Sequence, residues 1–348
     1  MDPAPFIQRL LARISAPRDF RLGCEKQWVL SPGEVADSPG AVFAEEELDR
    51  VTGVEPHTSR DLETLRIRGG RREHAATVAY RFPRARLIDG SVYLGGAARL
   101  DMLPSPGRHF AFGAPERIPD AVLACTPFGS RFFGHWMTDD LTLQLASAGL
   151  GQPVSVLRKP YGHQPAYQNL LGPGPREARY ASFSGFTILD DFGQNRFKRK
   201  RYEEIRSRFR SGVAPSGSAG VFIRRGKSGA GRILVNEDQV ESFLVARGLT
   251  AVFPETMDAS EILRRTLGAR LVVGVEGSHL VHGLFAAANE ATLVVLQPPY
   301  RFNNVHKDYT DCLGMRYAFT VGQESPGGFR IDLERLSRLL DRLDSAQP

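Results

Sequence analysis

The sequence predicts an α/β protein whose C-terminal half is a Rossmann-like domain, and three features carry that expectation. Beyond residue 220, apolar runs near 220–224, 250–253, 271–275, 292–296 and 316–321 alternate with amphipathic stretches near 236–247, 258–268, 278–289 and 305–313. Such alternation means parallel strands covered by helices. The first run, Ala219 to Gly226, leaves Arg224 and Arg225 at a strand exit, and the third, Arg270 to Val275, breaks at Gly277-Ser278 into a helix. Paired arginines at one strand end and a small-residue helix N-terminus at another suit a bound di-anion, which points to a nucleotide or nucleotide-sugar site.

The other elements follow in chain order. Met1 to Arg13 lacks the apolar core of a signal peptide; Phe6, Leu10 and Leu11 with Arg9 and Arg13 fit a short amphipathic helix, docked on the first domain or touching a membrane. Residues 30–60, rich in Pro, Gly, Ser and acids, read as loop or a peripheral element. Two apolar runs around a Gly-Ser turn predict a β-hairpin over 85–94. Ala121 to Cys125 reads as a buried strand, followed by a helix over about 132–148 and strands at 154–157 and 183–189. Residues 211–220, dominated by Ser and Gly, are the linker candidate. They divide the chain into an N-terminal α/β domain, 1–210, and a C-terminal Rossmann-like domain, 211–348, closed by an amphipathic helix over 333–343.

Length and composition bound the function. A chain of 348 residues fits two domains, and 42% hydrophobic with 24% charged residues is a globular composition. The net charge of +6 is spread among acidic neighbours without aromatic–basic alternation, which argues against nucleic acid. An anionic substrate, or light peripheral contact with an acidic membrane surface, accounts for it. Cys24, Cys125 and Cys312 show no CxxC spacing, which argues against a disulfide framework or structural zinc and favours a reducing, cytoplasmic compartment. No segment approaches the length of a membrane span.

Three constellations could carry chemistry. In Phe133 to Leu141, His135 and Asp139 share one helical face, so the pair reads either as a base held in one tautomer or as capping and solvated side chains around a core Trp136. In Phe222 to Arg232, Gly226-Lys227-Ser228 fails the P-loop spacing, because the preceding glycine is Gly220, and no GxGxxG is present. What remains is a glycine-rich loop with Arg224, Arg225, Lys227 and Arg232, suited to diphosphate or simply solvated. In Gly274 to Gly283, the backbone of Gly277 and Ser278 could hold a phosphate, with Glu276 on a hydroxyl or a neighbour. His279 and His282 lack an evident third ligand, and the adjacent acids Asp139-Asp140 and Asp190-Asp191 do not have metal-diphosphate spacing, so no metal is expected.

Together these segments resemble glycosyltransferase family 61, also described as domain of unknown function 563 or the capsular-polysaccharide-biosynthesis type. The likeness runs in order through His135-Trp136-Met137-Thr138-Asp139, Phe222-Ile223-Arg224-Arg225, Arg232 to Asn236-Glu237, Phe253-Pro254-Glu255 and Glu276-Gly277-Ser278-His279-Leu280, over about 120–321. The family often has His-Gly-Ala-Gly-Leu at the last step, which puts in question the contact that its histidine would make. Residues before about 85 match nothing in the family pattern.

The resemblance implies a GT-B fold, two Rossmann-like domains facing across a cleft, with an inverting reaction and no obligatory metal or cofactor. The substrates it implies are a nucleotide-sugar donor, with UDP sugars the expected series, and a glycan or lipid-linked acceptor in surface-polysaccharide synthesis. The lack of a signal-anchor helix and of a disulfide pattern points to a bacterial enzyme, and the basic N-terminal segment and a lipid-linked acceptor suit the inner face of the cytoplasmic membrane. Asp139 is the expected base with His135 orienting it or contacting the donor, and the reverse assignment stands close beside it. Arg224, Arg225, Lys227, Arg232, Glu276, Gly277, Ser278 and His279 are the expected donor contacts, with Glu255 on ribose hydroxyls or a surface acid. The alternative function is a non-catalytic nucleotide-sugar or glycan-binding protein on the same fold.

Overall fold

The computed structural model describes residues 19–94, 98–105, 113–211, 213–226 and 231–345. The N-terminal amphipathic segment and Lys227 lie outside them. Contacts divide the chain into two units, one formed by the residues up to Glu34 with His74–Arg201, the other by Val35–Glu73 with the residues from Tyr202 on. A single cut near 210 therefore misplaces residues 35–73. Among the described residues, no helix is long and apolar enough to cross a membrane.

The first unit is built on two sheets. Six strands, β1 (Lys26–Ser31), β2 (Thr77–Phe82), β3 (Ala121–Leu123), β4 (Gln152–Val156), β5 (Arg176–Ala178) and β6 (Phe186–Asp190), lie in the order β1-β2-β6-β3-β4-β5. β6, β3, β4 and β5 are mutually parallel, while β2 runs antiparallel to β6 and to β1. A five-stranded sheet carries the predicted hairpin, Ala85–Ile88 and Ser91–Leu94. Its turn is Asp89-Gly90 rather than Gly-Ser, with φ of 45° and 86°, the two left-handed residues that a tight hairpin requires. Phe82, Leu87, Val92, Val154, Phe183 and Phe186 fill one core shared by both sheets.

The second unit holds the parallel sheet read from the sequence: β7 (Gly220–Ile223), β8 (Thr250–Val252), β9 (Leu271–Val275), β10 (Thr292–Gln297) and β11 (Arg316–Val321). Its strands read as continuous apolar runs because both faces are covered. Phe222, Val273 and Val294 pack with Val240 and Leu244 of helix Glu237–Ala246 and with Leu336, Leu340 and Leu343 of helix Leu333–Ser345. On the opposite face, Gly283 of helix Val281–Ala286 lies so close to Val272 that a Cβ would overlap it. The strand order is β8-β7-β9-β10-β11, so the chain reverses direction across the sheet between β7 and β9.

Residues 35–73 are not peripheral. Val42 bridges Ala318 and Val54 bridges Phe302. Glu47 is buried and accepts from Val321 N at 2.6 Å, and Glu63, in helix Arg60–Arg68, is buried and accepts from Asn304 N at 2.6 Å. Buried carboxylates with backbone donors tie this segment to the sheet edge. The expected linker is irregular over 213–218, but the stretch before it is a helix, Arg196–Ser211, which begins in the first unit and ends in the second.

Candidate active site

In the first unit, the chain leaving β3 enters a helical run made of an α-turn at Phe133–His135, a π-turn at Trp136–Asp140 and an α-helix at Leu141–Ala146. The Leu141 N–H reaches back to Trp136 O, the five-residue bond of a π-bulge, a distortion that recurs at functional sites. It leaves His135 Nδ1 2.8 Å from Asp139 Oδ2, while Trp136 and Leu141 enter the core. The His135 ring packs beside Phe128 and Phe132, at centroid distances of 5.2 and 6.1 Å.

Behind this pair stands a residue absent from the sequence reading. Lys198, on helix Arg196–Ser211, places Nζ 3.5 Å from Asp139 Oδ1 and 3.4 Å from Asp191 Oδ2, and donates to Asp191 O at 2.8 Å. Asp191 follows β6; it also accepts two bonds from Arg201, at 2.7 and 2.8 Å, and one from Thr77 Oγ1 at 2.8 Å. Asn195 starts the helix by accepting from Phe197 N and Lys198 N, both at 3.1 Å, which fixes the lysine's position. Lys198 is 2% exposed, whereas the side chains of His135 and Asp139 keep 29% and 21% of their surface and remain reachable. The available signal was Asn195 ahead of a run with apolar residues at helical spacing; nothing in it distinguished Lys198 from the exposed Arg199 and Lys200.

Burial alone raises the Asp139 carboxyl. Lys198 and the bond from His135 outweigh it and hold the group below its ordinary value, so it stays a carboxylate. Its neighbour Asp140 does the opposite: burial dominates and keeps it well above the ordinary value, although Thr126 donates to it from N and Oγ1 at 2.8 and 2.9 Å.

In the second unit, Arg224 and Arg225 leave β7 and Glu276, Gly277 and Ser278 leave β9, on either side of the reversal in strand order. Ligands of open α/β sheets bind in that crevice, at the carboxyl ends of the strands. Arg225 is half-buried, with Nη1 3.4 Å from Glu276 O. Burial, then the charges of Arg232 and Arg301, push it down to about 10, still charged at neutral pH. Arg232 pairs with Glu276, which also accepts from Asn303 Nδ2 at 3.3 Å; Arg301, unread in the sequence, sits 3.3 Å from Glu55. Arg232 Nε, Arg301 Nε and His279 Nε2 are buried without a hydrogen-bond partner among the described residues. Burial and the nearby Arg225 hold His279 neutral, well below its ordinary value.

Gly277 has φ 149° and ψ 172°, and a Cβ there would overlap Arg225 Nη1. The helix it opens is short, a single turn at Ser278–Leu280 before Val281–Ala286, so the arginines supply most of the positive field. Arg224 is spent elsewhere: it bonds Glu237, Asp238 and Glu241 and lies over the Phe253 ring. Glu255 is exposed, and its carboxylate lies against Gly226. Among the described residues, no three His, Cys, Asp or Glu side chains are grouped to hold a metal ion, and His279 and His282 gain no third ligand.

Residues 133–295 match the profile of Glycosyltransferase 61, a segment that contains His135, Asp139, Lys198, Arg225, Arg232 and Glu276. Over that stretch, just under half of its length, the chain is similar to glycosyltransferase family 61. The family implies transfer of a sugar from a donor to an acceptor. Residues 35–73 and Arg301 lie outside the matched stretch. No curated protein matches this chain. Among solved structures, a metal-soaked flavodiiron core from Synechocystis is similar over 51% of this chain and 47% of its own, at 13% identity and a TM-score of 0.27. That likeness is too slight to bear on fold or function.

Proposed function

We propose that this protein is an inverting, metal-independent glycosyltransferase of GT-B type, with the nucleotide-sugar donor held by the second unit and the acceptor deprotonated in the first. The observation that carries the reading is the arginine cluster of Arg225, Arg232 and Arg301 at the reversal between β7 and β9. Like charges crowded together, with buried N–H groups left unpartnered, are costly unless an anion completes them. A nucleoside diphosphate does so, and UDP sugars are the first series to try.

His135 is the base in this reading and Asp139 its orienting partner, the reverse of the assignment favoured from sequence. Asp139 is held as a weakly basic carboxylate and bonds Nδ1, which leaves Nε2 to take the acceptor proton. In the reaction the acceptor O–H proton passes to His135, the acceptor oxygen bonds the anomeric carbon, and the sugar–phosphate bond breaks with its electron pair on the diphosphate. Arg225 and Arg232 stabilise that developing charge. Surface-polysaccharide synthesis by a cytoplasmic enzyme, on a glycan or lipid-linked acceptor at the inner membrane face, belongs to the same proposal; the family likeness supports the sugar transfer in it.

The test is thermal stability across nucleoside diphosphates and nucleotide sugars, followed by transfer assays with the stabilising series. A ligand at one hundred times its dissociation constant adds about 2.7 kcal/mol, an easily read shift. Stabilisation by no nucleotide would remove the donor site from the reading and favour a glycan-binding protein.

A further inference from the structure

We propose that a polar recess in the first unit, lined by Ser130, Trp136, Asp140, Arg158, Gln168 and Glu177, binds one sugar ring of the acceptor. Its volume is about 170 Å³, room for one pyranose rather than a nucleotide. It opens at the carboxyl ends of β3 and β4, where Cys125, Ser155 and Val156 complete the wall. This is the position at which parallel sheets present ligand sites.

The lining chemistry selects the ligand class. Asp140 is 5% exposed and keeps one oxygen on Thr126. Arg158 donates to Lys159 O at 2.9 Å and to Gln164 Oε1 at 2.8 Å, yet no ion pair joins it to Asp140 although both line the recess. Ser130 Oγ is buried without a partner. Such a wall offers donors and acceptors in turn, with an indole beside them. An apolar ligand would leave the Ser130 hydroxyl without a partner and cover the remaining polar groups without bonding them, and a phosphate would meet Asp140 and Glu177. Sugar hydroxyls, each a donor and an acceptor at once, bridge a carboxyl and a guanidinium that do not reach each other.

The recess is tied to the reacting pair by sequence and by contact. Asp140 and Trp136 belong to the π-turn that carries Asp139. The loop that supplies Ser130 also supplies Phe128 and Phe132, which flank the His135 ring. Gly129 of that loop has no room for a Cβ against Asp140. A sugar seated here is held by the same residues that fix the base. The word acceptor rests on the glycosyltransferase reading; sugar binding does not.

The chain has two tryptophans, Trp28 and Trp136, so Trp28→Phe leaves a single tryptophan, in the recess wall, to be excited selectively at the red edge. The experiment titrates that protein with millimolar glucose, galactose, mannose, xylose and N-acetylglucosamine, with and without UDP. It is repeated in Arg158→Met and Ser130→Val, whose folding is checked by thermal melts. The expected result is a saturable change in Trp136 emission with at least one sugar, weakened about tenfold by either variant as for one lost hydrogen bond to a buried or charged group. Nucleotide stabilisation should not change. No saturable response to any sugar, or one indifferent to both variants, overturns the recess. Sugar binding without transfer would keep the recess and sink the transferase reading. Transfer with wild-type acceptor KM in Arg158→Met would do the reverse.

Discussion

Lys198 Nζ stands 3.5 Å from Asp139 Oδ1 on the side of the carboxylate away from His135, and it is buried. The ammonium holds Asp139 ionised and the carboxylate bonds the imidazole, so helix Arg196–Ser211 helps to position a histidine on another element. Lys198→Met should lower kcat by roughly tenfold to hundredfold with donor KM little changed, since orientation is lost and binding is not. It leaves Asp139 and Asp191 buried without that cation, so a stability loss of about 3–5 kcal/mol should accompany it. Lys198→Arg should recover part of both. Steady-state kinetics beside denaturant melts measure it; a kcat equal to wild type in folded Lys198→Met would remove the lysine from the site.

His135→Ala should lower kcat by about 10²–10⁴, the range of a lost general base, while nucleotide stabilisation persists. Asp139→Asn keeps a hydrogen bond but loses the charge that favours a protonated imidazole, so its loss should be smaller. If Asp139→Asn were the more severe, in proteins of equal stability, the carboxylate would be the base.

Acid should unfold the protein through two named carboxylates. Burial raises Asp139 and Asp191, but Lys198 acts against it on both, joined by His135 on Asp139 and by Arg201 and Thr77 on Asp191. Both end below the ordinary 3.8. A native value below the unfolded one means stability that is full above 3.8 and lost as pH falls through the native values. Asp140, raised chiefly by burial, works in the opposite sense: its contribution is present below 3.8 and fades as pH rises through its native value. Urea midpoints across a pH series should therefore drop steeply on the acid side, and Lys198→Met, which lets burial raise both carboxyls, should flatten that drop. An acid limb unmoved by the variant would mean other groups control it.

The second unit was legible in the sequence almost strand for strand, because parallel strands buried on both faces leave uninterrupted apolar runs such as Leu271–Val275 and Thr292–Gln297. Residues 35–73 were not, because what fixes them is a few long-range bonds, Glu47 to Val321 and Glu63 to Asn304, which have no local signature. His135 and Asp139 could be paired from their spacing alone. Lys198 and Arg301 could not, since each is brought to its site by the order of strands rather than by proximity in sequence. Arg224 misled for a related reason: two adjacent arginines at a strand exit look alike until the helix after them supplies Glu237, Asp238 and Glu241 to one.

That difference gives a discriminating experiment on neighbouring residues of one type. Arg224 is satisfied by carboxylates within its own unit and is partly exposed, so Arg224→Met should cost about 1 kcal/mol or less of stability and leave nucleotide affinity near wild type. Arg225 lies beside Arg232 and Arg301 as well as Glu276 and Glu237, and burial with the two arginines outweighs the two carboxylates. Arg225→Met should leave the free protein as stable or slightly more so, because a repulsion is removed, while nucleotide affinity falls about tenfold to hundredfold. Gly277→Ala should mimic it without removing charge, since a methyl group there displaces the Arg225 guanidinium and strains a backbone at φ 149°. Calorimetric titration of the three variants with the stabilising nucleoside diphosphate separates the cases. If Arg224→Met lost affinity and Arg225→Met did not, the anion would sit over the helix Glu237–Ala246 side of β7, and the crevice between β7 and β9 would lose its assignment.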